Sequence, residues 1–423
     1  VASISIFWSG TAEQSSRARA TDVTRESIFS SRDFRLFYFG QATSYIGDGL
    51  RTIALPLLVF KLTGSALNLG LTFSLEWFSF GVFSLVGGSL ADRLNRKRLM
   101  IWCDVVRSSI ILGFALGYRS GWLTIPILYC GIVLHTACGA IFNGGQASSI
   151  PYVLGKARAT RAVAALIGTE SAVNTAVPPI GGAIFGLAGP FPALLVNAVT
   201  YIASIFSLSV IRDLGPETTS GFPRAHHVAS DIAVGFRFLF ADKAMRIVTF
   251  ASFMANFFGS LGFTAYVPFI KRDLGGNDLS VGIVFGALGA GTVLGAYLVS
   301  RVHTTFGTNM VIGYLWSFLQ LGLIWTHSVS VAAIILGLLS IAAGWNVSAT
   351  LGWRMRIIPE ETVGRVFGAA RLLVLCGTLP GALIGGVLAD AYGARTAIAV
   401  CGIGISLVIV WLVSSRTVRE ESR

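Results

Sequence analysis

About twelve runs of roughly 18 to 25 predominantly apolar residues recur along this chain, each long enough to cross a hydrocarbon layer about 30 Å thick. Backbone polar groups inside such a layer must be satisfied within the segment itself, so each run is predicted to be a transmembrane helix. The runs fall at 36–60, 66–91, 99–118, 122–147, 161–188, 190–211, 246–270, 280–300, 310–327, 329–352, 362–389 and 396–414. Only 12% of the 423 residues are charged, about half the ordinary share, which excludes a soluble globular protein. The net charge of +12 does not mark a nucleic-acid surface, because the Lys and Arg residues lie between the apolar runs rather than on one face.

Those cations alternate between dense and sparse connections. Arg32 and Arg35 precede span 1, Arg93, Arg96, Lys97 and Arg98 follow span 2, Lys156 and Arg158 follow span 4, and Arg212, Arg224, Arg237 and Lys243 follow span 6. By the positive-inside rule these connections, and with them both termini, are predicted to be cytoplasmic. The expected organisation is a cytoplasmic tail at 1–34, a bundle at 35–211, a cytoplasmic linker at 212–245, a second bundle at 246–415 and a tail at 416–423.

The two halves are repeats. A shift of 212 positions superposes Pro56 on Pro268, Gly64 on Gly276, Leu67 on Leu279, Gly70 on Gly282 and Phe73 on Phe285; a shift of 204 superposes Gly181 and Gly182 on Gly385 and Gly386. The expected fold is therefore an all-α membrane protein, twelve transmembrane helices in two pseudo-symmetric six-helix bundles. Two such halves suit alternating access, one rocking against the other around a midplane site, and one chain already supplies a complete pathway, so a monomer is expected. The five cysteines lie inside apolar runs with no CxxC pair, and no metal site, cofactor or enzyme signature is read from the sequence. The expected partners are a small-molecule substrate, protons and the lipid bilayer, with no nucleic acid and with a proton gradient as the driving force.

After span 2 the chain reads Gly88-Ser-Leu-Ala-Asp92-Arg93-Leu-Asn95-Arg96-Lys97-Arg98. This resembles the loop 2–3 signature of the major facilitator superfamily, G-x-L-A-D-R-x-G-R-[RK], with Asn95 at the loop glycine; Asn tolerates the left-handed backbone expected of such a turn. The resemblance implies the major facilitator fold and a conformational latch built from Gly88, Asp92, Arg93, Arg96 and Lys97. Span 5 carries Val177-Pro178-Pro179-Ile180-Gly181-Gly182, similar to the G-P-x-x-G-G ending found in exporters of the superfamily. Pro178, Pro179, Gly181 and Gly182 suit a hinge or a close packing seam. Span 4 of the superfamily's proton-coupled drug antiporters bears an Arg four residues before a Gly; here the pair is His135 and Gly139, so the proton step either moves to a side chain that titrates near neutral pH or is organised differently. The run from Arg32 to Gly70 is similar to the enterobactin-exporter-like branch.

An ionisable residue at mid-depth costs at least a few kcal/mol, which makes it a functional candidate. Asp48, Glu76, Glu170 and His135 all fall near mid-depth, and the second half has no carboxylate inside a span except Asp390 at the outer end of span 11. Arg51 lies three residues after Asp48, where side chains on one helix face meet, so the two are read either as a pair or as a site of proton carriage. Glu76 is read as a proton or cation carrier, or as a carboxyl paired with another helix, with Trp77 and Phe78 forming an aromatic pocket beside it. Asp104 and Arg107 are expected to form a peripheral structural pair. Arg371 is expected to attract an anionic substrate or to pair with Glu170 or Asp48. The resemblance also places Gln41, Tyr45, Phe142, Asn143, Gln146, Asn256, Phe257, Tyr266, Trp345 and Asn346 around a large, mixed apolar cavity.

These features lead to a proton-coupled exporter of small amphipathic molecules in a bacterial-type inner membrane. The competing expectations are an importer of a nutrient or organic anion, and a transport-inactive sensor or lipid-handling protein on the same scaffold.

Overall fold

The computed structural model describes residues 27–215, 225–241, 243–302, 305–315, 318–359 and 362–415, and among them there is no strand. The first half comprises α1 (Arg32–Thr63), α2 (Ala66–Arg93), α3 (Arg96–Ser120), α4 (Ile125–Leu154), α5 (Lys156–Ala188) and α6 (Pro190–Val210). After α7 (Ala225–Ala241) the second half runs through α8 (Lys243–Pro268), α9 (Asp278–Arg301), α10 (Phe306–Leu315), α11 (Leu319–Gly322), α12 (Val329–Ile357), α13 (Val363–Tyr392) and α14 (Ala394–Ser414).

Local chemistry sets the helix ends. The Ser31 and Ser65 hydroxyls accept from the Phe34 and Asn68 N–H groups and start α1 and α2, and Gly64, at φ +64°, ends α1 in the left-handed conformation that only glycine adopts cheaply. Asn95 differs from expectation. Its φ is −59° and its side chain accepts from the Arg98 N–H, so it serves as the cap of α3 and the turn requires no left-handed residue.

Nine helices among the described residues are long and apolar enough to cross a membrane. Of the remaining expected spans, α1 carries Asp48 and Arg51 in its interior, and span 9 is described as α10, α11 and a 3-10 turn at Leu323–Trp325, with 316–317 outside the described residues. The 212–245 connection contains α7, whose Phe236 and Leu239 share an apolar stripe; Leu239 is buried with Met245, Ile358, Val366 and Ala369. This places the linker helix against α13 rather than free in the connection.

Between the halves, α5 packs on α9 and α2 packs on α13. Both seams are backbone on backbone. A Cβ on Gly182 would lie 2.6 Å from the Asp278 carbonyl oxygen, and one on Gly386 would lie 2.8 Å from that of Ala66. Gly282 abuts the Pro178 carbonyl and Gly70 that of Ala382. Under the 212 and 204 shifts these are equivalent contacts, because Asp278 corresponds to Ala66, Gly282 to Gly70, Gly182 to Gly386 and Pro178 to Ala382. The duplicated glycines therefore line two seams related by the internal pseudo-symmetry, and Pro178, Pro179, Gly181 and Gly182 sit in one of them, where the Pro179 ring packs on Gly286.

Among the described residues, the buried core shared by the two halves lies at one end. A single buried apolar cluster, including Leu57, Leu69, Phe73, Leu261, Tyr266, Phe285 and Ala382, unites them at the end opposite Arg32 and Arg96. Toward the basic end the core divides, with Phe34, Met100 and Leu208 in one half and Ile247, Met310 and Val408 in the other. The Phe263 ring stacks edge-on against both Phe73 of the first half and Phe285, closing the interior at the joined end.

Asp390 completes that closure. Its carboxylate accepts from the Ser65 hydroxyl (2.5 Å), the Ala66 N–H (2.8 Å) and the Leu67 N–H (2.9 Å), capping α2 from the other half, while Arg272 lies 3.8 Å away and donates to the Gly64 carbonyl. Asp390→Ala is expected to remove about 1 kcal/mol of support for this seal, the ordinary value of a helix cap, and so to shift the sealed-to-open ratio about fivefold. The alkylation rate of a cysteine placed at the buried Thr264 measures it; an unchanged rate would show that the cap does not hold the end closed.

Candidate functional site

The mid-depth charges of the first half form one connected cluster. Arg107 of α3 donates to both oxygens of Asp48 at 3.0 Å and to Asp104 at 3.3 Å. Arg51 lies 2.5 Å from Glu76 of α2 and 3.9 Å from Asp48. The Tyr201 hydroxyl of α6 donates to Asp48 (2.5 Å), which spends its only proton, so His135 Nε2, 3.0 Å from the phenol oxygen, is the donor of that pair. The guanidinium of Arg107 also covers the Tyr201 ring at 4.2 Å. Three carboxylates thus share two guanidiniums, a net of one negative charge when all are ionised. Asp104 is fully buried, and its Oδ2 has no hydrogen-bond partner among the described residues.

Several expectations change here. Asp48 is held chiefly by Arg107 rather than by Arg51, whereas Glu76 pairs with Arg51 of another helix, one of its two expected readings. Arg107 and Asp104 are part of the central cluster and not a peripheral pair, because α3 packs on α6 and directs them inward. Arg107 also fills the space beside Gly139, its Nε 3.8 Å from where a Cβ there would lie, so the cation missing from span 4 comes from the neighbouring helix. Trp77 and Phe78 are about half exposed and do not form the pocket beside Glu76; Phe80, one helical turn on from Glu76, lines it instead.

This cluster borders a polar cavity of about 230 Å³ lined by Gln41, Tyr45, Asp48, Arg51, Phe142, Asn143, Gln146 and Glu170 among others. Gln146 donates to the Tyr45 hydroxyl at 3.0 Å, and Gln41 donates to Ser204 at 3.4 Å. Glu170 is exposed in this cavity and makes no hydrogen bond or ion pair among the described residues.

The second half holds a contrasting cavity of about 470 Å³. Apolar groups dominate its walls, with Ser252, Asn256, Tyr266, Gln320 and Asn346 as spaced polar points and Arg354 as its one charged lining residue among those described. Tyr266 and Gln320 hydrogen-bond each other at 3.2–3.3 Å, and Gln320 reaches Cys401 Sγ at 3.4 Å. Phe257 and Trp345 lie outside this lining: Phe257 packs edge-on against Phe258 beside α13, and Trp345 is buried on the side of α12 that meets Gly295. Phe263 and Gln320 take their place. Gln320, a lone amide in an otherwise apolar span, was the available signal.

Arg371 faces a third cavity of about 490 Å³ and stacks on Phe80 at 4.5 Å, pairing with neither Glu170 nor Asp48.

The sequence matches the transmembrane secretion effector family of the major facilitator superfamily over residues 25–422. The chain belongs to that family. It is 26% identical over 397 residues to the enterobactin exporter EntS of Escherichia coli O81 (strain ED1a), covering 90% of this chain and 92% of that protein. It is 22% identical over 370 residues to the multi-drug resistance efflux pump PmrA homolog of Lactococcus lactis subsp. lactis (strain IL1403), covering 84% and 88%. The crystal structure of a bacterial homolog of the human lysosomal transporter Spinster, inward-facing and unoccupied, superposes with a TM-score of 0.72 at 13% identity, covering 94% of this chain and 99% of that one. The chain is thus a membrane transporter with the major facilitator fold.

The superfamily loop is anchored within the first half. Arg96 donates to the Ala91 and Ser148 carbonyls at 3.1 and 3.2 Å, and Lys97 to those of Ser209 and Ile211 at 2.7 and 2.6 Å. Arg93 is half-buried at the end of α2, whereas the side chains of Gly88 and Asp92 lie outside those described. Nearby, the Gly215 N–H and the Tyr152 hydroxyl hold the Asp213 carboxyl below the usual carboxylate range.

Removing one member of a buried pair strands the other. Arg107→Gln is expected to cost about 3–5 kcal/mol of stability, and Asp48→Asn in the same chain to recover part of it, Asp104 remaining without its cation. Thermal unfolding of the purified transporter and its variants reads this; equal losses in the single and double variants would mean that the pair is not coupled.

Proposed function

We propose that this protein exports small amphipathic molecules from a bacterial cell by proton-coupled alternating access. The observation that carries the reading is the cluster of three carboxylates on two guanidiniums beside a polar cavity. In a low-dielectric interior one surplus negative charge is a place for one proton, shared among Asp48, Asp104 and Glu76, and the exposed Glu170 lies beside them in the cavity.

With the basic end cytoplasmic, as the positive-inside rule assigns it, the described conformation is inward-facing. Substrate enters from that side, its apolar body in the second-half cavity and its polar part toward Glu170. Opening of the opposite end admits protons. Protonation of Asp48 loosens its bidentate tie to Arg107, which turns to Asp104; protonation of Glu170 removes the charge that holds a cationic or donor group, so substrate leaves and the protonated halves return. The efflux and siderophore-export relatives support the outward direction.

One observation favours a second reading: Arg371 has no carboxylate partner among the described residues and faces a cavity, as an organic-anion importer would require.

Inside-out vesicles with an acid interior separate the two. Cationic dyes, neutral drugs and catecholates added in turn are expected to release protons for at least one class, with more than tenfold loss in Asp48→Asn and, for cationic compounds, in Glu170→Gln. Equal transport at all pH gradients by the Asp48→Asn, Glu76→Gln, Glu170→Gln triple variant would sink proton coupling. Transport of anions alone, lost in Arg371→Gln, would establish the second reading.

A further inference from the structure

A groove of about 460 Å³ runs along the outer flank of the first half between α1 and α6, lined by Arg32, Arg35, Leu36, Phe39, Gly40, Thr43, Ala203 and Ser207. It is separate from the cavities above and lies on the surface that meets lipid. We infer that this groove binds one anionic phospholipid, with the headgroup phosphate on Arg32 and Arg35 and an acyl chain along Phe39, Gly40 and Ala203.

The charge argument comes first. Arg32 and Arg35 stand three residues apart in the first turn of α1, at the positive end of its helix dipole, where cations are disfavoured. Both are exposed, and neither side chain makes an ion pair among the described residues. Two guanidiniums so placed leave a surplus of positive charge that a phosphate matches in sign and geometry.

The wall supplies the second argument. Arg32 to Thr43 is eleven residues, about 16 Å of helix, close to half of a hydrocarbon core about 30 Å thick. The groove therefore has the length of one leaflet, with its cations at one end alone. Its hydroxyls are turned away from the occupant: Thr43 donates to the Phe39 carbonyl at 2.9 Å, and Ser207 donates to the Leu36 carbonyl. Beyond the first turn the groove offers an apolar surface and no unmet hydrogen bond. Gly40 sits directly against Ser207, a Cβ there lying 2.7 Å from the Ser207 Cβ, so α1 and α6 meet closely and close the floor of the groove. Phe39, 63% exposed, forms the outer rim.

The test is native mass spectrometry of the delipidated, full-length transporter titrated with phosphatidylglycerol, phosphatidylcholine or inorganic phosphate. Wild type is expected to retain one phosphatidylglycerol in preference to phosphatidylcholine, and Arg32→Gln with Arg35→Gln to weaken that preference roughly thirtyfold, the effect of two cations at a headgroup. Ala203→Phe fills the wall and is expected to release the lipid with both arginines intact. Unchanged thermal unfolding in phosphatidylcholine nanodiscs verifies folding of each variant. Equal retention by wild type and the double variant overturns the inference. Displacement by millimolar inorganic phosphate, with Ala203→Phe without effect, overturns it in favour of a free-anion site. The outcome is independent of the direction of transport.

Discussion

The bidentate contact between Asp48 and Arg107 organises the first half. A charge at this depth is tolerated only with a partner, and each partner here comes from a different helix. Asp48 ties α1 to α3, Tyr201 ties both to α6, His135 adds α4, and Arg51 with Glu76 adds α2. Five helices are thereby held in one register. The second half has no such cluster among its described residues. Its interior is held by the Tyr266, Gln320 and Cys401 contacts and by apolar packing, which leaves room for an apolar guest.

The two seams have the opposite character. Glycine against a backbone carbonyl places helices close together with little side-chain interlock, so separating them costs van der Waals contact but no rotamer rearrangement. The more specific closure is polar and lies at the joined end, where Asp390 caps a helix of the other half and Arg272 holds the adjacent carbonyl. Such a seal exchanges its hydrogen bonds for water when it opens, which keeps two conformations close in free energy.

Most of the fold was legible in the sequence because the bilayer imposes a period and a length that soluble packing does not. Run length located the spans, and the repeat shifts located the glycines that prove to meet in the seams. The misreadings have a common cause. Trp77 with Phe78 was assigned from sequence proximity to Glu76, and the peripheral position of Asp104 with Arg107 and the cavity position of Phe257 and Trp345 from the resemblance; none of these reports how a helix is rotated about its axis. The linker helix α7 takes its place on α13 through an apolar stripe too short to stand out in a hydropathy trace.

By itself the sequence determined that this is a polytopic helical membrane protein, duplicated, with its mid-depth carboxylates confined to one half, because helix length, charge placement and repetition are properties of the chain in order. Only the tertiary structure decided which carboxylate meets which guanidinium, that Arg107 supplies the cation absent from span 4, and that the halves are sealed at one end. Those outcomes depend on helix rotation and on contacts between residues far apart in sequence, such as Asp48 with Tyr201 and Ala66 with Asp390. Many linear patterns are compatible with each such contact, and packing in three dimensions selects one.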